Sequence, residues 1–221
     1  MIKTFWAELR KFDPEPALII VYSTFVLLYS LYFGRTRIFL PGEPFLEKLL
    51  VMGILYGFSP VILMLIFHRK PADYGISIGI PRIWLKDIGF LLLIMLVILV
   101  VSFKFTGFKT FYPLYKRAGH DFNQFLIYEA IQLFHMFAWE FFFRGFMLFG
   151  LSKKMDPRLA ILIQTIPFAM MHFRKPPLEA YGSIFAGVFQ GVVAVRGRSF
   201  LPCAILHFSV ALAADVLGMI F

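Results

Sequence analysis

The chain has 221 residues, 60% of them hydrophobic and 19% aromatic, with a formal net charge of +9. A soluble domain is about half apolar, so these figures, with a mean hydropathy of +0.78, exclude an ordinary soluble domain and indicate a membrane protein. The basic excess is spread over the connecting segments rather than gathered in one patch, so it reads as contact with anionic lipid head groups and not as a nucleic-acid footprint.

In chain order, residues 1–15 come first. Phe5, Trp6, Leu9 and Phe12 fall at helical spacing among Lys3, Arg10 and Lys11, the pattern of a short anchor lying in the membrane interface. No small-residue cleavage site follows, so the first span is expected to be retained. Seven candidate spans then run over 16–33, 46–67, 84–105, 122–150, 158–173, 178–195 and 200–221, a count bounded by six and eight. Most approach or exceed the roughly 20 residues that cross a hydrocarbon core as a helix, and 158–173 is short. Segments this long, without strand-like alternation, predict an all-α helical bundle rather than a barrel. A single membrane-embedded domain, 1–221, accommodates them.

With the N-terminus on one side, these spans place twelve Lys and Arg there and nine opposite, a small bias toward a cytoplasmic N-terminus. The lone Cys203 excludes an intramolecular disulfide and a multi-cysteine zinc site, and its default role is that of a small buried hydrophobe. No internal repeat stands out, which counts against a transporter.

Ionisable residues inside the spans are few: Glu129, His135, Glu140, Arg144, His172, Glu179 near a span start, His207 and Asp215. Charges at this depth face a protein interior or a water-filled cavity, so function is sought here. At about 100° per residue, Glu129 and Glu140 differ by about 20° in direction and Arg144 lies one turn beyond Glu140. They form one inward stripe, and His135 points away from it. An i, i+4 ion pair that only holds the bundle together would explain Glu140 and Arg144. Two further spans, however, each bring a histidine, in FAMMH (168–172) and ILHFSVALAAD (205–215), so a carboxylate and two imidazoles on three spans can converge. Between them, FRKPPLE breaks the helix at two prolines and starts the next span near Glu179. In that span Gly187 and Gly191 form a small-residue surface for close helix packing.

Three blocks carry a resemblance to the CAAX protease and bacteriocin-processing family of membrane endopeptidases. WEFFFRGFML resembles the family's Glu-Glu-x-x-x-Arg-Gly block, FAMMH its Phe-x-x-x-His block, and RSFLPCAILH the last block, whose His opens His-x-x-x-Asn. DYGISIGIPR looks like a segment that members carry between early spans. The resemblance covers 130–215 and marks 122–215 as the catalytic half. Two positions depart from the pattern: Trp139 falls where the first, water-activating Glu belongs, and Ala211 where the Asn belongs.

The resemblance implies hydrolysis of a peptide bond within the membrane, with a Glu and a His activating water while the last His and the Asn steady the oxyanion. Carried over, the catalytic set is Glu140, His172 and His207, supported by Arg144 and Glu179. Either Glu140 or Glu179 is available to take the place of the missing first carboxylate. Asp215, about 80° around the helix from His207, is a poor substitute for the Asn. His172 and His207 with Glu140 or Glu179 also have the composition of a zinc site with an open position for water. The expected partners are membrane lipids and a membrane-associated peptide or protein substrate, and the expected location is a prokaryotic plasma membrane. The alternative, which Trp139 and Ala211 favour, is a non-catalytic member that binds a membrane partner. A small transporter ranks third.

Overall fold

The computed structural model describes residues 13–33, 39–40 and 42–221. The interfacial segment read around Phe5, Trp6, Leu9 and Phe12 lies outside these. Among the described residues the long elements are all helical: α1 Pro14–Phe33, α2 Pro44–Ile66, α3 Pro81–Phe105, α4 Phe122–Glu140, α5 Pro157–Met170, α6 Pro177–Gly197 and α7 Leu201–Ile220. Each corresponds to one span read from the sequence. Five of them (α1, α2, α3, α6 and α7) are long and apolar enough to cross a membrane, and α5 is a shorter apolar helix. The chain is an integral membrane protein.

Local chemistry explains the starts. Asp121 caps α4 by accepting from the amides of Asn123 and Gln124, and Asp156 caps α5 through Arg158. The other five long helices carry proline in their first turn or at its edge, where a missing N–H costs nothing. The FRKPP break falls where expected, between the end of α5 at Met170 and the start of α6 at Pro177.

The exception to regular geometry is the continuation of α4. Phe141–Phe149 is π-helical, and all of its residues except Phe149 are buried. π-Helical turns are rare and concentrate at functional sites. The FFFRGFMLF segment is thus the centre of the bundle, in contact with α2, α5, α6 and α7, while α4 itself packs along α2 and α7. Lipid-facing apolar side chains such as Val21, Phe25, Phe58, Leu65, Phe90 and Leu93 belong to the surrounding helices.

With lipid tails as apolar as the side chains, helix association depends on close packing and on buried polar contacts. The α5–α6 contact shows the first. A Cβ built on Gly187 would stand 2.7 Å from Thr165 Cγ2, and one on Gly191 2.9 Å from Ile161 Cγ2. Gly187→Ala should therefore cost about 1–3 kcal/mol by overpacking, read as a lower unfolding midpoint in detergent; an unchanged midpoint would mean that α6 moves away freely.

Polar contacts tie both ends of the bundle. On one side Glu15, which is buried, pairs with Arg69, accepts from Tyr74 at 3.2 Å and from Lys153 at 3.4 Å, and Lys153 sits 3.7 Å over the Tyr74 ring. Burial and the Glu15 charge push the Tyr74 phenol well above its ordinary value. On the other side the connection from α3 to α4 folds under the bundle. Asp215 accepts from Leu114 N at 2.8 Å and from Gln132 Nε2 at 3.0 Å, with the Tyr128 hydroxyl at 2.8 Å. Gly218 lets the Tyr112–Pro113 backbone approach α7, since a Cβ there would lie 2.5 Å from the Tyr112 carbonyl carbon.

Candidate active site

Glu140 is the last residue of α4 and Arg144 the fourth of the π segment; both are fully buried. Arg144 Nη1 lies 3.1 Å and 3.0 Å from the two oxygens of Glu140. His207, on α7, brings Nδ1 to 2.6 Å from Glu140 Oε1. Two turns earlier on α4, Gln132 meets Asp215 two turns later on α7, so the helices run antiparallel and one shared face carries both polar contacts. That shared face fixes His207 on the carboxylate.

His172 arrives from the turn after α5. In this turn the amide of His172 donates to Ala169 rather than to Phe168, which leaves the Phe168 carbonyl as one of the orphan acceptors of a helix end. His172 Nδ1 fills the vacancy at 2.8 Å. A carbonyl oxygen can only accept, so Nδ1 carries the proton and Nε2 carries the lone pair. The same reasoning applies at His207, whose Nδ1 faces a carboxylate already engaged by a guanidinium. In its neutral form each imidazole therefore presents a bare Nε2.

The two rings are nearly parallel, with centroids 6.3 Å apart and planes 20° apart. Phe168 organises the cluster: its ring lies 4.8 Å from that of His172 and 6.0 Å from that of His207, and the Arg144 guanidinium stacks on it at 4.0 Å. Trp139 closes the other side of His172 at 6.3 Å, nearly perpendicular. Both histidines keep part of their surface exposed, as does every α7 residue from His207 to Ala213, so this stretch is not sealed in the core. A cavity of about 320 Å³ opens beside the His172 turn, with Ala169, Phe173, Lys175, Ala180, Tyr181 and Ile184 in its wall.

Residues 121–213 match the family model described as type II CAAX prenyl endopeptidase Rce1-like. Over this segment the chain is similar to that family. The chain has no match among curated proteins and none among solved structures. The matched segment runs from the cap of α4 into α7 and contains Glu140, Arg144, His172, Glu179 and His207.

Four of these five sequence-selected residues converge. Glu140, Arg144 and His207 form one hydrogen-bonded chain, and His172 stacks across from it. Glu179 stands in a neighbouring cluster, accepting from the Tyr112 hydroxyl at 2.7 Å and pairing with Lys175 at 3.1 Å, while Lys175 also donates to Tyr112 at 3.0 Å. Asp215 holds the α3–α4 connection, and Glu129 is buried with neither carboxyl oxygen hydrogen-bonded. His135 turns away from Glu140 to Leu49, 3.1 Å from its carbonyl.

Regarding a metal, Glu140 is occupied by His207 and Arg144 and Glu179 by Tyr112 and Lys175. Among the described residues no group of three or more His, Cys, Asp or Glu is placed to hold an ion. The two free Nε2 atoms fall one protein donor short of the His₂-carboxylate type of site.

Sequence reading did not reveal the ordering role of Phe168, although the i, i+4 spacing of Phe168 and His172 carried the signal. Nor did it find Tyr112, which lies in a loop whose nearness to α6 has no local trace.

Proposed function

We propose that this chain is an intramembrane endopeptidase that hydrolyses a peptide bond of a membrane-associated, lipid-bearing peptide or protein. The observation that carries the reading is the Glu140–His207 contact at 2.6 Å, with His172 stacked opposite and both Nε2 atoms unoccupied. A histidine oriented by a carboxylate through Nδ1 is the arrangement by which hydrolases take a proton at Nε2. The match to a family described as CAAX prenyl endopeptidases supports the reaction class, and the apolar cavity beside His172 suits a hydrocarbon chain.

The mechanism follows from the tautomers. Water between the rings donates one hydrogen to His207 Nε2 and the other to His172 Nε2. His207 takes its proton as the water oxygen attacks the carbonyl carbon, and Glu140 stabilises the imidazolium that forms. The C–N bond then breaks and His207 returns the proton to the leaving amine, giving a carboxylic acid and an amine. Arg144 holds Glu140 in place. Glu179, with Tyr112 and Lys175, fixes the rim beside His172. No step runs through a metal. Proton transfer of this kind contributes about 10²–10⁴-fold.

The test is cleavage of a library of membrane-tethered peptides by purified protein, wild type beside His172→Ala, each with and without a chelator. Loss in the variant alone is the expected result. Loss of wild-type activity with chelator would overturn the metal-free route, and full activity of His172→Ala would overturn the reading itself.

A second reading, a non-catalytic binder of a membrane partner, is favoured by one observation: Trp139 occupies the position where the resemblance places the water-activating Glu, and it is packed there against Tyr56, Phe143 and Phe168. If activity appears only in the double variant Trp139→Glu with Ala211→Asn, that reading holds.

A further inference from the structure

Both site imidazoles present lone pairs, so neither supplies a proton to the oxygen that becomes negative when water attacks the carbonyl. A hydrolytic site needs a donor aimed at that oxygen. Ala211, one turn past His207, has no donor in its side chain. Arg144 has two unpaired donors, Nε and Nη2, but its guanidinium is committed to the Glu140 carboxylate and lies over the Phe168 ring at 4.0 Å.

One other side-chain donor at the site has no partner. Trp139 Nε1 is buried without any acceptor in hydrogen-bonding distance, in a residue 8% exposed. Buried donors are almost always paired, and an orphan calls for a functional explanation. The ring is held by Tyr56 at 5.4 Å and Phe143 at 4.9 Å, and it stands nearly perpendicular to His172 at 6.3 Å. It is thus rigid, unspent and beside the imidazole that orients the water.

We propose that the indole N–H of Trp139 is the oxyanion donor of this site. It does not accept a proton as a carboxylate at that position would; it donates to the scissile carbonyl oxygen, strengthening as the C=O becomes C–O⁻ and relaxing when the C–N bond breaks. The substitution at 139 then changes the division of labour, leaving proton transfer to His207 and charge stabilisation to Trp139. This inference rests on the hydrolytic reading.

The variant that isolates the N–H is Trp139→Phe, which keeps an aromatic ring in the same packing. Loss of a single oxyanion donor should lower kcat by about 10²–10³-fold with KM within about threefold of wild type. Because the N–H is unpaired before substrate binds, the unfolding midpoint should not fall by the amount that loss of a structural hydrogen bond would produce. Cleavage by Trp139→Phe close to the wild-type rate would overturn the proposal while leaving the endopeptidase reading intact.

Should wild type cleave nothing, a second measurement decides. Isotope-labelled tryptophan gives three indole resonances, from Trp6, Trp84 and Trp139, the last assigned by its absence in Trp139→Phe. A lipidated peptide with a ketomethylene group in place of the scissile bond is added, with its binding followed by fluorescence anisotropy. A downfield shift of the Trp139 N–H on binding supports the donor role independently of turnover. No shift with the ligand bound, or no binding, overturns it.

Discussion

Replacing His207 with alanine should reduce kcat/KM by at least about 10²-fold and up to about 10⁴-fold, because it removes the base and the proton carrier together. Glu140→Gln should reproduce much of that loss. It preserves the size of the side chain but removes the charge that stabilises the imidazolium, and its amide allows the imidazole to adopt the opposite tautomer. The check is steady-state kinetics on a membrane-tethered peptide, accompanied by an unfolding curve for each variant. Full activity in His207→Ala with the fold retained would remove the Glu140–His207 contact from the mechanism. Loss of folding in Glu140→Gln would not decide between roles, so His207→Ala, at a site with 18% of its side chain exposed, carries the argument.

The second large effect concerns stability. Glu140 and Arg144 are both fully buried, their charges 3.0 Å apart. Removing either partner leaves an uncompensated charge in the core, at a cost of about 3–5 kcal/mol. Arg144→Leu and Glu140→Leu should each lower stability by that order in reversible unfolding in mixed micelles. The double variant should lose far less than the two single losses together, since no charge is left behind. Independent, additive losses would show that the pair does not interact energetically, and that Arg144 is held chiefly by its stacking on Phe168 at 4.0 Å. The same double variant should be devoid of activity even where it folds, because His207 loses its orienting carboxylate. Pair chemistry and pair stability are therefore separable.

Much of this was legible in the chain itself. Bilayer thickness sets helix length, so unbroken apolar stretches mark helices, and all seven read from the sequence have a counterpart among the described residues. The cost of charge in a bilayer makes Glu140, Arg144, His172 and His207 conspicuous, and helical spacing brings Glu140 and Arg144 onto one face. The Gly187–Gly191 surface was likewise readable, since only small side chains allow that approach. Less legible was Glu179, which stood beside His172 in the sequence reading yet bonds with Tyr112 and Lys175. The helix break after Met170 controls that outcome, and the Tyr112 loop reaches Glu179 from 67 residues away.

The sequence by itself determined the class of molecule and the inventory of reactive groups, because bilayer energetics act on each span separately and local spacing distributes polar residues over helix faces. Only the tertiary structure decided what those groups do. A π-helical segment alters the facing of the residues after Glu140, which a 3.6-residue period does not foresee. The antiparallel register of α4 on α7 puts His207, and not Asp215, on Glu140. The short of a helix turn at Phe168 leaves one carbonyl for His172 and so sets its tautomer. The Trp139 N–H without an acceptor is visible only when every neighbour is in place. Hydrogen-bond satisfaction is a property of the whole packed bundle, and no window of sequence contains it.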